Sequence, residues 1–186
     1  MLPQIGVHGR AFLVVSALGA LIAGCAGTPP EPKFSHTIVA GSRVASSDTA
    51  EVTIDAADDV KMLPVERDRV AQKVKARIDA RKAVNTATPP ARDFQVVVHV
   101  TRYEKGSKFA RAMLAGLGQI HFEGTISVYQ MPERTLVGEF DMQKTFAWGG
   151  IYGASTSIEE IEDTFADAVA ATVTGQQRTT PKASAT

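Results

Sequence analysis

The sequence predicts an α+β domain of two layers, a mostly antiparallel sheet of about four strands covered on one face by two helices. Three observations carry that expectation. Segments 94–103, 120–129 and 136–146 alternate apolar and polar residues, the period-two signature of strands with one buried face. Segments 65–81 and 158–173 space their apolar residues three and four apart among charges, the period of helices resting on such a face. Each alternating strand offers one apolar side only, so the sheet is expected to be covered on one side and wet on the other.

The elements follow in order. Residues 37–44 read as a first strand and 51–55 as a short second one. The helix over 65–81 carries Val70, Val74 and Ile78 as its apolar stripe and a solvated face of mixed charge, and segment 85–90, ending in two prolines, breaks it. In 94–103, Phe94, Val96, Val98 and Val100 point inward and Gln95, Val97, His99 and Thr101 outward. In 120–129, Ile120, Phe122, Ile126 and Val128 oppose His121, Glu123, Thr125, Ser127 and Tyr129. Met131-Pro132-Glu133-Arg134 turns the chain into a last strand with Leu136, Phe140, Met142 and Phe146 inward, so the pair reads as a β-hairpin. Ser157 and Glu160 form a capping box that starts the final helix. Ile158, Ile161, Phe165, Ala168, Val169 and Val173 are its buried stripe, and Gly175 stops it.

The N-terminal region has a different logic. A weakly basic start (His8, Arg10) is followed by an apolar run over 11–23, too short to span a bilayer, which needs about 20 apolar residues. The run ends in Leu21-Ile22-Ala23-Gly24-Cys25, which resembles the lipobox of bacterial lipoproteins. That resemblance implies cleavage between Gly24 and Cys25, a diacylglycerol thioether on Cys25, and a further acyl chain such as palmitate on the new N-terminus. Two or more chains hold a protein stably at a bilayer, at about 0.8 kcal/mol per buried CH2. The expected layout is a signal peptide over 1–24, a proline-rich tether over 25–35, one domain over 36–175 and a disordered polar tail over 176–186. Ala26, rather than Asp, follows the cysteine, as in lipoproteins passed on to the outer membrane. The expected location is therefore the periplasmic side of that membrane, with the inner membrane as the alternative.

Composition narrows the function classes. The chain has 20 Lys+Arg and 20 Asp+Glu, and removal of 1–24 takes only Arg10, leaving 162 residues with net charge 19 − 20 = −1. Near-neutrality argues against nucleic acid, whose phosphates demand a basic footprint. Cys25 is the sole cysteine, so the fold is held by its core without an intrachain disulfide.

Two segments exceed what packing requires. The connector over 103–118 begins Tyr103-Glu104-Lys105-Gly106-Ser107, continues through Lys108, Phe109, Arg111 and Met113, and closes on Gly116-Leu117-Gly118. The loop over 148–153 holds Trp148, Gly149, Gly150, Tyr152 and Gly153. With the lipobox, the hairpin and the final helix, these motifs resemble domain of unknown function family 4410 (DUF4410) across 37–173, although Gln119 stands where members often carry a third small residue. The resemblance implies a bacterial lipoprotein without an assigned activity. By analogy, such small periplasmic domains serve as accessory parts of envelope export or assembly machines.

Candidate sites follow. Lys105, Lys108 and Arg111 can share one side of a short helix with Phe109 and Met113 on another. That arrangement suits an anionic envelope ligand or a partner groove, or else a solvated face over a local packing plug. The loop with Trp148 and Tyr152 reads equally as a contact surface or as a tight turn whose tryptophan caps the core. On the outer sheet face, His99, His121, Glu123, Glu139 and Asp141 are the residues that could host a metal or an acid–base pair. No nucleophile elbow, paired-cysteine ligand set or zincin motif occurs in the sequence. The expectation is an envelope protein without catalytic residues, metal or cofactor, acting on the membrane through its lipid and on an envelope protein partner. The alternatives are an envelope hydrolase or metal-binding protein, or a binder of an anionic ligand.

Overall fold

The structure is a computed structural model that describes residues 30–82, 91–114, 117–147 and 155–176. It is an α+β domain built on one mixed sheet of five strands. These are β1 (Lys33–His36), β2 (Thr49–Ala56), β3 (Asp93–Glu104), β4 (Ile120–Gln130) and β5 (Thr135–Phe146), in the order β1-β5-β4-β3-β2. Helices α1 (Pro64–Lys82) and α3 (Ile158–Thr174) pack side by side on one face, and a short α2 (Lys108–Met113) lies in the connector between β3 and β4.

The alternation read from the sequence sets the layers. Phe94, Val96, Val98 and Val100 of β3, Ile120, Phe122, Ile126 and Val128 of β4, and Phe140 and Met142 of β5 are buried in one core with Val70, Val74 and Ile78 of α1 and the Ile158–Val173 stripe of α3. Phe122 stacks on Phe165 at 4.1 Å between centroids, with the edge of Tyr103 against Phe122 at 5.6 Å, joining sheet to helix. The start of α3 is capped as expected, since Ser157 Oγ accepts from the Glu160 N–H, and Gly175 closes the helix at φ 68°.

Four differences have physical causes. Residues 37–44 form no strand. Ile38 and Val44 are buried on either side of a 3-10 turn at Ala40–Ser42, while the strand partner of β5 is Lys33–His36, the end of the segment read as tether. Prolines just before a strand are compatible with an edge position, where one side of the backbone needs no ladder. β2 runs parallel to β3, because α1 carries the chain back to the end where it started. Leu136 is 37% exposed although its parity pointed inward. A bulge that pairs Val128 with Gly138 but Tyr129 with Leu136 shifts the register there and packs Val137 against the core instead. A second bulge, between Val100 and Arg102, turns Tyr103 inward.

The face of α1 read as solvated also carries buried charge. Glu162 of α3 is fully buried, with Arg69 Nη2 at 2.7 Å, Arg69 Nε at 2.9 Å, the Tyr103 hydroxyl at 2.7 Å and Lys73 Nζ at 3.2 Å. These four donors satisfy the carboxylate and fasten α1 to α3 and β3. Hydrogen bonding to Glu162 raises the Arg69 pKa, and burial pushes the Tyr103 hydroxyl up.

Candidate functional site

The connector between β3 and β4 departs most from ordinary surface chemistry. Gly106 takes φ 63° and Gly118 φ 71°. A Cβ on Gly106 would run into the carbonyl oxygens of Gly118 and Gln119, so both the torsion and the close approach require glycine. Ser107 caps α2, its side chain accepting from the Ala110 N–H at 3.2 Å.

Arg111 turns inward from α2 and is 1% exposed. Its Nη1 donates to the carbonyls of Gly118 at 2.8 Å and Lys105 at 3.4 Å, and its Nη2 to that of Thr156 at 2.9 Å. One guanidinium thus ties the end of β3, the start of β4 and the start of α3, a use of its fan of donors that Lys could not reproduce. Lys105 precedes the helix and pairs with Glu66 at 2.6 Å. Burial raises the Glu66 pKa, but the Lys105 ammonium and the Leu63 N–H outweigh it and hold the carboxyl below its ordinary range.

The expected basic side of a short helix is therefore not assembled, because only Lys108 of the three remains in solvent without a partner among the described residues. The apolar residues are outside instead. Phe109 is 72% exposed and Met113 68%, with Leu114 and Leu117 also exposed. Leu63 and Val65, beside the Glu66–Lys105 pair at the start of α1, are exposed too. Among the described residues, six of the nine large exposed hydrophobic residues therefore lie at one end of the sheet. Among the described residues these side chains form no packing plug.

The outer sheet face is arranged in rows across the strands. Asp55, His99, Thr125 and Asp141 occupy one row, Glu104, His121 and Thr145 another, with Arg102, Glu123 and Gln143 between them. His99 Nδ1 lies 2.7 Å from Asp55, His121 Nδ1 3.0 Å from Thr145 Oγ1, and the Thr125 hydroxyl donates to Asp141 at 2.7 Å. Arg102 bridges Glu104 and Glu123, while Glu139 accepts from Ser35 and Ser127. His121 stands 3.9 Å from both Glu104 and Glu123. A shallow hollow of about 330 Å³ opens here, lined by Lys33, Thr101, Glu123 and Asp141 among others. Among the described residues no group of three or more His, Cys, Asp or Glu is placed to hold a metal ion. The five residues singled out here are thus spread over several rows and engaged with neighbours, and they do not converge.

A third charge cluster pins the bottom of the sheet. Asp48 accepts from the Ala45 N–H at 2.7 Å and from Arg92, whose guanidinium also reaches the carbonyls of Gly41 and Arg43. Burial raises the Asp48 pKa and these donors more than offset it, so the carboxyl titrates below its ordinary range. Gly24 and Cys25, and Trp148, Gly149, Gly150, Tyr152 and Gly153, lie outside the described residues. No helix among the described residues is long and apolar enough to cross a membrane.

Sequence reasoning missed the inward turn of Arg111 and the burial of Glu162. The second had a signal, because Glu162 falls on the same helical stripe as Ile158 and Phe165. The first had none beyond the glycines that bracket it.

The chain is similar in fold to PelC from Paraburkholderia phytofirmans, solved as a dodecamer, with a TM-score of 0.52 at 11% identity over 80% of this chain and 99% of that one. A substituted PelC dodecamer from the same organism gives a TM-score of 0.51 at 8% identity, again over 80% and 99%. Protein XCC0632 from Xanthomonas campestris gives 0.45 at 15% identity, over 78% of this chain and 95% of that one. No curated protein matches the chain. Residues 36–150, which hold the whole glycine-bracketed connector and the sheet from β2 to β5, match the model of a domain of unknown function, and the chain belongs to that family, DUF4410.

Proposed function

We propose that this chain is a lipid-anchored, periplasm-facing protein of the bacterial envelope, on the outer membrane, that works without catalysis as an interaction or assembly module. The observation that carries the reading is the connector. Its Arg111 guanidinium is spent internally and its hydrophobic side chains face outward, which is the composition of a contact surface and not of a reaction site. The lipobox-like run ending in Cys25 supplies the attachment. Membership in a family without an assigned activity is compatible with this role.

Intact-mass analysis of the native product tests the anchor, since a diacylglycerol adduct on a chain beginning at Cys25 is expected and a bare thiol or a retained leader would sink it. Affinity capture from envelope extracts tests the module, with a reproducible envelope protein among the captured species as the expected result. Turnover of an envelope substrate lost on changing His121, Glu123 and Asp141 would overturn it.

Self-assembly is a second reading. It draws on the shared fold with PelC, which is a dodecamer. Sedimentation of the purified protein across a concentration series would show it as a defined oligomer, and a monomer throughout would remove it.

A further inference from the structure

Strand direction places the exposed hydrophobic end of the domain beside the exit of its N-terminal segment. β1 is antiparallel to β5, with Lys33 opposite Asp141 and His36 opposite Glu139, so the chain upstream of Lys33 heads toward Phe146. Phe146 pairs with Ile120, the residue at which the connector enters β4. β2 and β3 both finish at this same end, which brings the start of α1 there as well. Pro30 is the first described residue, and Cys25 is five positions upstream, a span of at most about 18 Å when extended. The neighbouring strands between β1 and the connector add two or three spacings of about 4.8 Å.

From this juxtaposition we infer that the connector, through Phe109, Met113, Leu114 and Leu117, is a second membrane contact that seats the domain with this end of the sheet against the bilayer surface holding the lipid. The inference rests on the lipid-anchor reading and adds an orientation to it. A short leash holds these side chains near the interface at high local concentration, so even a small apolar surface suffices to dock. The connector is suited to this because Arg111, Gly106 and Gly118 fix its backbone from beneath, leaving the outward side chains free to enter the headgroup region without disturbing the core. Exposed charge at this end is mixed and not basic: Lys61 and Lys108 stand against Asp58, Asp59, Glu159 and Glu160, while Lys105 is neutralised by Glu66. Docking therefore depends on apolar burial and not on anionic lipid.

The test is amide hydrogen exchange on the full-length lipidated protein in vesicles of phosphatidylcholine, repeated with added phosphatidylglycerol, against the Cys25→Ala chain free in solution. Amides over 108–114 are expected to exchange roughly threefold or more slowly on either vesicle, while those of the hairpin tip over 131–136, at the far end of the sheet, stay unchanged. Phe109→Glu with Met113→Glu is expected to abolish the slowing without altering exchange in β3 and β4, since both side chains lie outside the core. Unslowed exchange over 108–114 in a protein that floats with the vesicles would overturn the contact while leaving the anchor intact. Slowing that appears in the free chain as concentration rises would assign the surface to a second copy and overturn it as well. A bare thiol at Cys25 in the mass spectrum refutes the anchor separately. In that event, coupling the single cysteine to a maleimide lipid lets the same exchange measurement decide the contact.

Discussion

The connector and the outer sheet face use the same kinds of residue in opposite ways. On the sheet face, charges project into solvent and are matched there by neighbours two positions along or one strand across, as with Arg102, Glu104 and Glu123. In the connector the guanidinium is inside, bonded to three carbonyls, and the hydrophobic side chains are outside. Polar decoration of an open sheet is the ordinary outcome of folding, whereas an inverted segment sacrifices solubility, which is why the proposed contact is placed there. Both segments drew attention in the sequence, and the structure separates them by which side chains each turns outward.

Substitutions can break this contrast in order of effect. Arg111→Met is expected to destabilise the domain by about 2–4 kcal/mol, because buried carbonyls lose their donors, and urea unfolding measures it. Gly106→Ala should cost about 1–3 kcal/mol by the same assay, from a left-handed torsion and a collision with the carbonyls of Gly118 and Gln119. The outer-face triple variant His121→Ala, Glu123→Ala, Asp141→Ala should change stability by no more than about 1 kcal/mol, as pairs on a solvent-facing sheet surface contribute little. A larger loss would place that face on a par with the connector. Phe109→Ser should leave stability within about 0.5 kcal/mol, yet lower the tendency of the purified protein to bind detergent micelles.

Acid sharpens the comparison from another side. Glu66 and Asp48 both have carboxyls held below their ordinary range in the folded state. Their contribution is therefore complete at pH values above the ordinary carboxylate range and is lost as pH falls through the lowered folded values. The unfolding midpoint should drop as pH is taken below about 4, and Glu66→Gln should make that drop shallower.

Much of the fold was legible because parity along a strand and spacing along a helix are local. The core residues of β3, β4 and α3 follow from them directly. What was not legible depends on partners distant in sequence. Lys33–His36 carries no strand signal of its own and becomes β1 only because β5 has a free edge. Leu136 points outward because a bulge inserts a residue opposite Val128 and Tyr129, and the pattern does not show where a register slips. The parallel pairing of β2 with β3 could have been inferred from the intervening helix. At the candidate site the glycines and the hydrophobic residues of the connector were visible, but helical spacing alone gave Arg111 to the wrong side. Its direction is decided by three carbonyls that come together only when β3, β4 and α3 have assembled.

The direction of β1 also has a mechanical consequence. A tug arriving from the N-terminal side acts along β1 and not across it, so the ladder to β5 is strained in shear, its backbone bonds sharing the load instead of opening one after another. An edge strand only four residues long can in this way serve as a grip, holding the body of the molecule steady against the drag of whatever it is attached to.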